Sequence, residues 1–91
     1  MLPLQNFATG VVADVIRRQP ASPARTTFAW TVAVGPALAR SATVTLTGNV
    51  LTVRARDPRW AGEIERAADT ILKRMQHLLG AASVQRIEVM S

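Results

Sequence analysis

The sequence predicts an α+β fold in which N-terminal helices precede a β-hairpin, one long helix packs on a three-stranded sheet, and a last strand closes the chain. Three observations predict it. Residues 42–55 alternate apolar and polar side chains around a Gly48-Asn49 turn, the period of a half-buried hairpin. Residues 58–79 repeat apolar side chains at spacings of three and four, the period of a helix with one buried face. The segment VQRIEVM then supplies a third strand beyond the helix.

Each element has its own signals. Leu4, Phe7, Val11 and Val15, with Ala8 and Val12, mark one face of a first helix over about Leu4 to Arg18. Arg17 and Arg18 stand at its C-terminal end, where cations suit the helix dipole. Gln19-Pro20-Ala21-Ser22-Pro23 is a linker. Residues Thr26 to Gly35 support two readings. Phe28, Trp30, Val32 and Val34 alternate with Thr27, Ala29, Thr31 and Ala33, as a strand would. Against this, Ser22-Pro23 fits a helix start, Gly35-Pro36 fits a stop, and Phe28/Val32 and Trp30/Val34 are i,i+4 pairs. Periodicity alone tips slightly to the strand. Pro36 to Arg40 reads as a short helical turn.

In the hairpin, Ala42–Thr47 and Val50–Arg56 form the strands. A two-residue loop puts Leu46 opposite Leu51, Val44 opposite Val53 and Ala42 opposite Ala55. A slip of one residue would place Thr against Leu, so the register checks itself. Asp57 is a good N-cap and Pro58 suits the first helical position, where no N–H is needed. Trp60, Ile64, Ala67, Ile71, Met75 and Leu78 form the apolar stripe, expected to lie across the hairpin's apolar face. Arg59, Arg66, Lys73 and Arg74 fall on or near the solvent side. Gly80 sits where a C-cap glycine belongs. The last strand, near Val84–Met90, follows a crossover helix and so can pair parallel to a hairpin strand, with Ile87 and Val89 facing the core.

The chain has 91 residues, and residues 1–91 are expected to form one domain. A hydrophobic content of 48% argues against disorder. No apolar run approaches a membrane span, and the start MLPLQNFATG lacks the basic opening of a signal peptide. There is no cysteine, which suits a reducing cytoplasm. Net charge is +5, with Arg supplying ten of the eleven basic residues. The planar guanidinium fork suits phosphate and carboxylate. Charge alone leaves two readings open: an acidic partner, or a solvated surface rich in Arg.

No catalytic set stands out. His77 is the only histidine and has no Cys beside it to build a metal site. Asp57 is explained as a cap, and no base is placed to activate a Ser or Thr. Neither glycine turn has the spacing of a phosphate loop. No cofactor, metal or small-molecule substrate is expected. The binding candidates are Arg54, Arg56 and Arg59, with Arg86, as one basic patch on the outer hairpin face among Thr43, Thr45, Thr47 and Thr52. The plain alternative is an exposed polar strand face. No exposed aromatic is expected beside the patch, which weakens the case for stacking on single strands.

Trp30 with Val34-Gly35-Pro36-Ala37-Leu38-Ala39, then Gly48 with Leu51-Thr52-Val53, then Arg59-Trp60-Ala61 with Glu63-Ile64 form an ordered pattern. Over about Phe28 to Met90 it resembles the N-terminal domain of the DciA family, the bacterial replicative helicase operators or loaders. The resemblance implies a KH-like α+β domain, and it implies that Thr26 to Gly35 is helical. It implies binding to the hexameric replicative helicase, binding to single-stranded or forked DNA, and no ATPase activity. It also invites a partner-contact reading for Trp30, whereas Trp60 begins an apolar stripe and is expected in the core. Two departures bear on function. The GxxG loop with which nucleic-acid-binding KH domains clamp the backbone is absent. The chain ends at Ser91, without the long flexible extension of many members, so its DNA binding is expected to be weak. The competing expectation is a stand-alone KH-like RNA- or DNA-binding domain, which the absent GxxG disfavours. A small enzyme lacks the necessary residues.

Overall fold

The computed structural model describes residues 10–91. Its elements are α1 (Gly10–Arg18), α2 (Pro23–Val34), α3 (Pro36–Ala39), β1 (Ala42–Thr47), β2 (Val50–Ala55), α4 (Pro58–Arg66), α5 (Ala68–Leu79) and β3 (Arg86–Met90). The α+β expectation holds. The proposed start of α1 at Leu4, and the places of Leu4, Phe7 and Ala8, lie outside the described residues.

The hairpin forms in the expected register, from Ala42 opposite Ala55 to Thr47 opposite Val50. At its tip only Gly48 takes a positive φ, of 61°, as in a type II′ rather than a type I′ turn. β3 runs parallel to β2, with Leu51 beside Ile87 and Val53 beside Val89. β2 is therefore the central strand of the order β1-β2-β3. Its Leu51, Val53 and Ala55 are buried on one face, while Arg54 is exposed on the other. The hairpin tip is tied to the start of β3. Asn49 Nδ2 donates to Gln85 Oε1 at 2.8 Å, and the Asn49 carbonyl accepts from the Gln85 and Arg86 amides.

Residues 23–34 are helical, against their alternation. Ser22 Oγ accepts from the Arg25 amide at 3.1 Å, Pro23 occupies the first turn, and Gly35 ends the helix at φ 87°. The residues α2 buries are Thr26, Ala29, Trp30 and Ala33, at helical spacing. Trp30 is buried together with the small side chains Ala29 and Ala33, which an alternation weighted by bulky Phe and Val overlooks. α1 shows the same effect. Ala13 and Ile16 are buried, whereas Val15, expected on the core face, is 49% exposed.

The single helix expected over 58–79 is two. Ala67 leaves helical geometry at φ −100° and ψ 7°, and its amide is shared between the Glu63 and Ile64 carbonyls. The break divides the stripe between two partners. α4 packs on β2 and β3, burying Ala61 and Ile64. α5 turns onto α1 and α2, burying Ile71, Met75, Leu78 and Leu79. The stripe thus covers the sheet mainly in its first half, with α5 touching it at β3, and α2 covers β1. Arg74, expected near solvent, is half-buried and donates from Nη1 to the Ala33 carbonyl at 2.9 Å. Arg17 donates likewise to the His77 carbonyl at 2.7 Å, joining α1 to α5. Among the described residues no helix is long and apolar enough to cross a membrane.

Candidate nucleic-acid interface

The sheet face away from the helices carries the candidate basic residues, and the strand directions sort them into two ends. Arg54 lies near the open end of the hairpin, between Thr43 on β1 and Met90 on β3. Arg56 follows just past the strand, its amide donating to the Ser41 carbonyl at 2.9 Å. Arg59 stands in the first turn of α4, a few residues further on. All three are exposed. Among the described residues none of them makes an ion pair.

Arg86 is elsewhere. It faces the same side but pairs with Val50 at the hairpin tip, four residues along β2 from Arg54. At ~3.3 Å per residue that separates them by about 13 Å. Its guanidinium is also taken up by Glu88, an exposed ion pair on the same strand. The patch read from sequence is therefore a cluster at one end and a locally neutralised arginine at the other.

The register brings in one residue that sequence reasoning missed. Arg40 is exposed and lies next to Ser41, whose carbonyl holds Arg56. In an extended hairpin register Ser41 falls opposite Arg56 and Arg40 one residue further on, opposite Asp57. The open end thus carries Arg40, Arg54, Arg56 and Arg59. Asp57, between Arg56 and Arg59 in sequence, is engaged as a cap, with Oδ1 accepting from the Trp60 amide at 3.0 Å. Glu63, one turn along, is ion-paired with Arg66. Cations grouped within a Debye length of each other act on a polyanion together.

The two tryptophans differ. Trp30 is 1% exposed and inside the core, so its ring is not on a surface that a partner would meet. Its volume explains its presence, although its indole Nε1 is buried with no hydrogen-bond partner among the described residues. Trp60, expected in the core, is only half-buried. It packs against the core on one side and lines a shallow depression with Arg59 and Glu63 on the other. An aromatic surface is therefore present beside the basic end after all, where a base could stack.

His77 is exposed in the last turn of α5. Among the described residues no three His, Cys, Asp or Glu side chains come together as a metal site.

A compact α+β frame, an arginine cluster without catalytic partners, and the ordered Trp30, Gly35 and Trp60 positions agree with one family. The family described as Dna[CI] antecedent, DciA, matches residues 3–89. The chain belongs to the DciA family. Comparison with curated proteins finds no match. The DciA family is related to loading of the replicative helicase, which supports a replication accessory role. Of the DciA pattern residues, Trp30 is structural, Gly35 supplies the positive φ between α2 and α3, and Trp60 borders the arginines.

Proposed function

We propose that this chain binds the hexameric replicative helicase and assists its placement on DNA, working in the cytoplasm and hydrolysing no ATP itself. The single observation that carries the reading is the DciA match over nearly the whole chain. The arginine cluster adds an auxiliary role: weak, sequence-independent binding of single-stranded or forked DNA. Arg40, Arg54, Arg56 and Arg59 reach phosphates, and nothing in the cluster is arranged to read base edges.

The test mixes the purified chain with the replicative helicase of its own organism. Native mass spectrometry or gel filtration should detect a complex, and the chain should raise the rate of helicase loading or unwinding. The absence of both a complex and a rate effect would refute the reading. The chain alone should show no ATP turnover.

A further inference from the structure

Trp60 is an aromatic side chain that the fold does not finish burying. It packs against the core and also lines a shallow depression of about 410 Å³ with Arg59 and Glu63. Arg59 belongs at once to this depression and to the arginine cluster. It is exposed and makes no ion pair among the described residues. Glu63, the acid on the wall, is held by Arg66 at 2.5 Å, so Arg59 sets the sign of the local charge.

We infer that Trp60 is a stacking platform for one base of a single strand and makes the chain prefer single-stranded over duplex DNA, an inference that rests on the DNA-binding role proposed above. The arginines cannot supply that preference. A duplex presents phosphates as a single strand does, and phosphate contacts hold either one. An indole face is different, because only an unstacked base can meet it. In a duplex each base is already stacked on its neighbours, and extruding one costs a few kcal/mol. In a single strand the base is available, and stacking is indifferent to which base it is. Arg59, beside the ring, is placed for a phosphate of the same strand.

Other occupants fit less well. A partner helix needs several apolar anchors along a groove, and this depression offers one ring and two charged side chains. A second copy would bring +5 against +5 and the same arginines against each other. A flat ring beside an uncommitted guanidinium, continuous with further exposed arginines, matches a base and its phosphate.

The test titrates the full chain and its Trp60→Leu and Trp60→Phe variants with a labelled single strand, and with the same strand annealed to its complement, at several salt concentrations. Trp60→Leu should lose single-strand affinity by at least about 5-fold, the worth of one stacked base, and leave duplex affinity unchanged. Its salt slope should match that of wild type, because no charge is removed. Arg54→Ala/Arg56→Ala should instead flatten the slope on both forms. Trp60→Phe keeps a ring and should lose less than Trp60→Leu. Circular dichroism checks that each variant folds. A second measurement needs no variant to fold. Trp30 is 1% exposed and Trp60 is half-buried, so a stacked base should quench the wild-type tryptophan fluorescence with the single strand and not with the duplex. In folded Trp60→Phe that quench should vanish. If folded Trp60→Leu keeps its single-strand affinity, or loses affinity for both forms alike, or if the duplex quenches wild type equally, the inference fails while the arginine interface stands. If Trp60→Leu keeps DNA and loses the helicase, the depression is a protein contact and the inference is overturned. If wild type binds neither form even at low salt, the DNA-binding role fails and takes this inference with it.

Discussion

Replacing Arg54 and Arg56 with Ala should halve the salt dependence of DNA binding. Four exposed arginines stand toward the open end of the hairpin, Arg40, Arg54, Arg56 and Arg59, none of them in an ion pair among the described residues. If each neutralises one phosphate of a single strand, log K falls against log salt with a slope of about −2.8, from ~−0.7 per contact. The double variant keeps two contacts and a slope of about −1.4. Over a tenfold rise in salt, wild type should lose affinity by ~600-fold and the variant by only ~25-fold. Fluorescence anisotropy of a labelled single strand at several salt concentrations reads both slopes. Stability should stay within ~0.5 kcal/mol, because both side chains are exposed. Arg86→Ala is the internal control. Its guanidinium is ion-paired with Glu88 at the other end of the sheet, so the slope should not move. An unchanged slope in the double variant, or a flattened one in Arg86→Ala, would refute the placement of the interface.

Two further outcomes follow from the packing. Ile71→Ala removes a side chain only 3% exposed from the face of α5 that meets α1 and α2, and should cost ~2–5 kcal/mol in urea unfolding; a near-neutral result would mean that the second half of the stripe is not buried. Asp57→Asn keeps an acceptor for the Trp60 amide while removing an acid that stands between Arg56 and Arg59 in sequence, so DNA affinity at low salt should rise with stability changed by less than ~0.5 kcal/mol; weaker binding in the same anisotropy assay would put Asp57 in a different role.

The hairpin was legible down to single residue pairs because two independent signals agreed on it. Alternation selected the face, and Gly48-Asn49 fixed the loop length. Helix α2 was harder to read. Its bulky residues alternate, while three of its four buried residues, Thr26, Ala29 and Ala33, carry little hydrophobic weight beside Trp30. The same bias put Val15 rather than Ala13 on the core face of α1. The break at Ala67 left no mark, since the stripe keeps its spacing through that residue and no Pro stands near it. Only the tertiary arrangement, with the sheet beneath α4 and helices beneath α5, distinguishes the two halves. At the candidate site, residue type was readable and position was not. Arg54 stands on the outer face that the alternation marks, but separating Arg86 from it required the direction of β3, and Arg40 lies beyond the ladder, opposite Asp57 in an extended register.

The parallel pairing of β3 with β2 divides the chain's loop-closure entropy unevenly. The hairpin closes over two residues, whereas the bond from Asn49 to Gln85 spans 36. Closing a loop roughly eighteen times longer costs ~2.6 kcal/mol more, if the intervening chain is treated as flexible. Prior formation of α4 and α5 offsets this, because two rigid segments replace most of the free chain. The third strand is thus conditional on the helices in a way that the first two are not. An opening of α5 loosens the hold on β3, and β2 then becomes an unprotected strand edge. That edge is the surface on which one partly opened chain could add to another, so the helices guard the sheet against self-association as well as covering its core.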